Sequence, residues 1–168
     1  MNHSLVMTIL ATDRKGLVRA IASIVNEHKG NWQESSMARL SGQFAGILRV
    51  DCPATEIEGL KAALNALDSQ GIHIKFSEEP LSAYAERRLI TIDVVGNDRP
   101  GIVHQLTNAI ADAGGNVEEL VTSLESAAMS GQALFRASGK ISLLVDGDEQ
   151  KLLSAIENLS DDLSVEIY

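Results

Sequence analysis

The sequence predicts an α+β protein made of two copies of one small β-α-β-β-α-β domain. Three observations predict it. Asp13-Arg14-Lys15-Gly16-Leu17-Val18 returns 85 residues later as Asp98-Arg99-Pro100-Gly101-Ile102-Val103. Lys29-Gly30-Asn31 returns at the same offset as Gly114-Gly115-Asn116, and Glu34 as Glu119. Around these anchors, apolar residues alternate as in strands or recur at helical spacing. One offset that holds across a loop and the helix after it marks two copies of one fold.

In the first copy, Ser4–Leu10 is a β-rich run ending at the Asp13 turn. Leu17, Ile21, Ile24, Val25 and His28 share one helical face, so Gly16–His28 is expected to be an amphipathic helix stopped by Gly30-Asn31. Trp32–Leu40 and Phe44–Cys52 flank Ser41-Gly42-Gln43, a hairpin with a glycine turn. Phe44, Gly46, Leu48 and Val50 fall on one face of its second strand. Ile57, Leu60, Leu64 and Leu67 mark a second helix closed by Gly71, and Ile72, Ile74 and Phe76 a final strand. This order is the split βαβ, or ferredoxin-like, unit.

The second copy follows the same plan. Leu89–Val95 is a strand; Ile102, Leu106, Ile110 and Ala113 line a helix. Val117–Leu124 and Ala133–Val145 are hairpin arms, with extra Ser-, Ala- and Gly-rich residues Glu125–Gln132 between them. Leu152, Ile156 and Leu159 mark the second helix, and Leu163–Ile167 the last strand. The expected domains are 1–79 and 89–168, joined by a short linker, 80–88, that contains Pro80. Domains of about 80 residues are marginal alone and gain from packing together.

Composition narrows the function. No apolar run approaches the roughly 18–20 residues that span a membrane, and the N-terminus lacks the pattern of a secretory signal. The single Cys52 excludes an intrachain disulfide and fits a reducing cytoplasm. The chain carries a net charge of −9. Its halves differ: residues 1–84 hold 8 Lys+Arg against 9 Asp+Glu, and residues 85–168 hold 6 against 14. Nucleic-acid affinity comes largely from neutralising phosphates, so direct binding to DNA or RNA is not expected. The acidity of the second half suits a basic protein surface, or simply solubility.

Catalytic patterns are poor. His3, His28, His73 and His104 show no metal-ligand spacing to one another or to Cys52. No phosphate-binding loop or serine-hydrolase motif occurs. Gly16 and Gly101 stand where a strand turns into a helix. A missing side chain there opens the helix-start N–H groups to an anion such as a carboxylate. A tight turn with positive φ explains the same glycines equally well. Asp13 and Asp98 are expected to cap those helices. Arg14 and Arg99 are solvated charges or two-pronged carboxylate ligands. Asn31 and Asn116 are ordinary turn residues or amides matched to an amino acid's ammonium and carboxylate. Glu118-Glu119 and Asp161-Asp162 read as solvated charges.

The two glycine turns, each followed by Gly-Asn at the next strand, resemble ACT domains. Two in tandem over essentially the whole chain, with Met129-Ser130-Gly131 in the second hairpin loop, resemble the glycine cleavage repressor group. The resemblance implies a regulatory amino-acid-binding protein without a cofactor. It implies two sheets side by side, joined as one of eight strands, with helices on one face and ligands at the interface between the copies, near the first strand–helix loop and the second strand's start. Carried over residue by residue, the ligand-binding positions are Asp13, Arg14, Gly16, Leu17 and Asn31, with Asp98, Arg99, Gly101, Ile102 and Asn116. Lys15 departs from the Arg-Pro-Gly form. The implied partners are an amino acid, glycine or serine first, and a protein such as a transcriptional activator. A homodimer would cover an exposed edge or helix face. Two alternatives stand beside this reading. One is an interaction module without ligand. The other is an acylphosphatase-like hydrolase, echoed by Gly16-Leu17-Val18-Arg19 and Asn31.

Overall fold

The structure is a computed structural model that describes residues 1–77, 86–126 and 131–168. Pro80, Met129 and Ser130 lie outside the described residues. The chain divides into two compact units, Met1–Ser82 and Ala83–Tyr168.

Unit 1 runs β1 (Asn2–Thr12), α1 (Leu17–Glu27), β2 (Asn31–Leu40), β3 (Gln43–Pro53), α2 (Ile57–Asn65) and β4 (Ile72–Ser77). A 3-10 turn, Ala66–Gln70, extends α2 to Gly71, whose φ of +78 ends it. Unit 2 runs β5 (Arg87–Asn97), α3 (Ile102–Asp112), β6 (Gly115–Ser126), β7 (Ala133–Leu144), α4 (Glu149–Glu157) and β8 (Ser164–Ile167). Both units have the β-α-β-β-α-β order expected from periodicity. Their antiparallel sheets are ordered β2-β3-β1-β4 and β6-β7-β5-β8. Each unit's four described strands hydrogen-bond as one antiparallel ladder.

Alternation builds each core. Leu5, Met7, Ile9 and Ala11 of β1 are buried, as are Phe44, Leu48, Val50 and Cys52 of β3. They meet Leu17, Ile21 and Val25 of α1 and Leu60 and Leu64 of α2. Unit 2 repeats this with Ile90, Ile92 and Val94 against Ile102, Leu106 and Ile110, and with Leu152 and Ile156 of α4. Each helix thus covers one face of its sheet with an apolar stripe. Cys52 packs in the unit 1 core, where its Sγ donates to the His28 carbonyl at 3.4 Å and burial pushes its pKa up. Trp32 is half-buried, with its indole N–H donating to Ser35 Oγ at 3.2 Å.

The hairpins differ at their tips. In unit 1, Leu40 pairs with Gln43 across the two-residue turn Ser41-Gly42. In unit 2 the ladder runs on through Glu125–Leu134 and Ser126–Ala133. Part of the expected loop Glu125–Gln132 is therefore strand, because its residues continue the pairing register. A register shift falls between Trp32 and Glu34 in β2 and between Val117 and Glu119 in β6. These bulges sit at the same offset as the sequence repeat. Past each bulge the repeated glutamate pairs across the ladder, Glu34 with Arg49 at 3.1 Å and Glu119 with Lys140 at 3.0 Å.

Candidate functional site

Each first strand delivers its loop to the end of the sheet where the hairpin also turns. Asp13 N–H donates to the Gly42 carbonyl at 2.8 Å, and Asp98 N–H to the Ala133 carbonyl at 3.0 Å. The loop then enters the helix through a left-handed glycine, Gly16 at φ +86 and Gly101 at φ +84. That conformation is open to glycine and strained for other residues. The glycines themselves occupy the capping positions, and no side chain caps either helix. This corrects the expectation for Asp13 and Asp98, which stand three residues before those capping glycines. Asp13 instead pairs with Arg39 at 3.3 Å.

In unit 2 the loop opens onto a pocket of about 410 Å³. Asp98, Arg99, Gly101 and Ile102 line it, with Val103 and His104 from the first turn of α3. Thr122, Ser123, Leu124 and Phe135 of the hairpin form the other wall. Arg99 is half-buried; its Nη2 donates to Gln105 Oε1 at 2.7 Å and reaches the Leu159 carbonyl at 3.5 Å. Its Nε is buried without a partner. Asn108 Nδ2 donates to His104 Nε2 at 3.1 Å, an arrangement that needs Nε2 unprotonated. No cation pairs with Asp98 among the described residues. Asp162 secures the loop from behind: its Oδ2 accepts the Asn97 N–H at 2.9 Å. Hydrogen bonds from Ser160 and Asn97 hold its carboxyl below the usual range, so Asp162 is more than a solvated charge.

Such a pocket offers an anionic carboxylate, helix-start N–H groups, two hydroxyls and an apolar patch. An ammonium suits Asp98. A carboxylate suits the N–H groups of α3, whose dipole favours negative charge.

Within unit 2, Asp98, Arg99, Gly101 and Ile102 lie together, and Asn116 lies toward the other end of the same sheet. Asn116 pairs with Ser142, level with Leu89, while the loop follows Asn97. Eight strand residues separate the two levels, about 26 Å. Asn31 lies level with Asp51 and Ser4, equally far from the loop after Thr12. The Asn116 amide donates to Glu118 Oε1 at 2.9 Å, and the buried Ser142 hydroxyl donates to the same oxygen. Those two bonds hold the Glu118 carboxyl below its ordinary range. Glu118 is exposed, as expected, and these bonds also tie it into the bulge.

In unit 1, Leu17 is buried in the core, and the exposed Arg14 reaches Gln70 Oε1 at 3.5 Å. Residue chemistry alone missed Thr122, Ser123, Leu124 and Phe135. The β-α-β-β order contains the signal, since it returns the hairpin to the end where the first loop sits.

The repeated fold and its glycine loop define a family of small domains. The ACT domain family model matches residues 3–77 and again 88–168, and the chain belongs to that family. No curated protein is similar enough to count as a relative. Among solved structures, the chain is similar to an unknown protein from Galdieria sulphuraria. That match has a TM-score of 0.85 and 25% identity, over 99% of this chain and 98% of that one. It is also similar to a protein provisionally named a glycine cleavage system transcriptional repressor. There the TM-score is 0.68 and the identity 16%, over 100% and 98% of the two chains.

Proposed function

We propose that this protein senses an amino acid and regulates through a protein partner, without chemistry of its own. The observation that carries the reading is the unit 2 pocket, where Asp98 faces the glycine-opened start of α3. An α-amino acid has the two opposite charges that this arrangement separates. Glycine and serine are the first candidates, because they place little bulk between the charged loop and Leu124. The likeness in fold to the provisionally named repressor supports a role in control of glycine or amino-acid metabolism.

The partner is a protein such as a transcriptional activator, and the site of action is the cytoplasm. Net charge −9 argues against direct contact with nucleic acid. Ligand changes regulation only if it binds the partner-bound and partner-free states with different affinity. A homodimer would pair the long edge strands β2 or β6, which have a neighbour on one side only in the described ladders.

The acylphosphatase-like alternative is weakened by geometry. Arg19 lies in the first turn of α1 and Asn31 beyond its far end. The eight residues after Arg19, to the helix end at Glu27, rise about 12 Å, which sets the two groups apart. A ligand-free interaction module remains the reading to beat.

The test is calorimetry of the whole chain against the proteinogenic amino acids, glycine and serine first. Saturable binding that Asp98→Asn abolishes is expected. Heats indistinguishable from dilution for every amino acid at millimolar concentration would leave the interaction module standing instead.

A further inference from the structure

Arg39 and Leu124 hold the same place in the two units. Arg39 pairs with Phe44 across its hairpin and Leu124 with Phe135, and the two phenylalanines are buried alike. The same offset of 85 residues relates Arg39 to Leu124 and Asp13 to Asp98. The side chains do opposite things. Leu124 lines the pocket beside Asp98. Arg39 instead extends over the equivalent loop, its Nη1 3.3 Å from Asp13 Oδ2.

From this we propose that the two amino-acid sites are not equivalent: the unit 2 site is open, and Arg39 keeps the unit 1 site closed. This rests on the amino-acid-sensing reading above. An exposed ion pair adds little to folding stability, but it need not be strong to exclude a weak ligand. The guanidinium is tethered beside Asp13 at an effective concentration of millimolar order or more. A free amino acid must displace it to give Asp13 its ammonium. The surroundings add to the obstacle. The unit 1 turn carries Arg14, Lys15 and Arg19, where the unit 2 turn carries Arg99, Pro100 and His104. An incoming ammonium meets three cationic side chains in unit 1 and one, Arg99, in unit 2. Residue 39, or its counterpart 124, thus decides whether a glycine turn of this chain is a site.

The test exchanges the two residues. Arg39 and Leu124 are both exposed, so Arg39→Leu and Leu124→Arg should fold, which circular dichroism and melting temperature would establish. Glycine and L-serine are then titrated separately into 15N-labelled wild type and both variants. In the wild type, amide shifts are expected around residues 98–104 and 122–124, with one ligand per chain by calorimetry. Leu124→Arg should remove this binding by at least tenfold in affinity. Arg39→Leu should add shifts around residues 13–19 and raise the stoichiometry to two.

Wild-type shifts at both turns, or a Leu124→Arg protein that still binds as the wild type does, would overturn the inference and leave the sensing reading intact. An Arg39→Leu protein that still binds one ligand would overturn the closure by Arg39. If neither ligand perturbs any of the three proteins, the sensing reading fails and takes this inference with it.

Discussion

Gly139 of β7 lies against the carbonyl oxygen of Glu119 in β6: a Cβ there would stand 2.2 Å from that oxygen. The bulge between Val117 and Glu119 draws the two backbones this close. Gly139→Ala must push β6 away from β7 or undo the bulge. We expect it to cost at least about 3 kcal/mol, since no flexible side chain can yield. Urea denaturation of the variant should show an early transition, or no folded baseline at all.

Gly101 gives the opposite case. A Cβ there would meet nothing within 4 Å, so only its φ of +84 is at stake. Gly101→Ala should therefore cost about 1–2 kcal/mol, the strain of a left-handed conformation. Gly16→Ala should match it, having the same open space and φ +86. Urea midpoints for the two variants would check the equivalence. A loss near that of Gly139→Ala would mean that the turns are sterically packed.

Acid should weaken unit 2 partly through Glu118. Its folded pKa is depressed by hydrogen bonds from Ser142 and Asn116, so the native state favours the carboxylate. The resulting stability is present above the unfolded value, about 4.5, and is lost as pH falls through the lower folded value. Ser142→Ala removes the largest cause of the depression. Urea midpoints measured from pH 6 down to pH 3 should fall less steeply for that variant than for the wild type. Parallel curves would show that Glu118 does not contribute to the acid limb.

Glu119 and Lys140 face each other across exposed sheet, as Glu34 and Arg49 do in unit 1. A double-mutant cycle with Glu119→Gln and Lys140→Gln should return a coupling of about 1 kcal/mol or less. The coupling should shrink further in 1 M salt, where the Debye length is about 3 Å. A larger, salt-insensitive value would mean that the pair is shielded from water.

Removing core volume should cost more than breaking the exposed Glu119–Lys140 pair. Ile110 is buried between α3 and the sheet. Ile110→Ala should lose about 2–5 kcal/mol by transfer and cavity terms together, read as a lower urea midpoint. A loss below 1 kcal/mol would indicate that the core collapses around the gap.

Much of this protein was determined by its sequence alone. Strand alternation in Phe44–Val50 and helical spacing in Leu17–Val25 are local consequences of backbone geometry, so element order and core faces could be read directly. The repeat at one offset established two copies, and glycine's tolerance of positive φ marked both turns. Tertiary structure decided the rest, because it depends on which ends of the elements meet. The helix between the loop and Asn31 carries the chain back to the far end of the sheet, although Asn31 comes only 15 residues after Gly16. Gly16 took the capping position expected of Asp13, and the hairpin brought Arg39 within reach of that carboxylate. The wall of the pocket, Thr122 to Leu124 and Phe135, comes from strands joined to the loop only through folding. Charge partners and cavities are properties of distance in space, and spacing along a chain specifies that distance only within single elements.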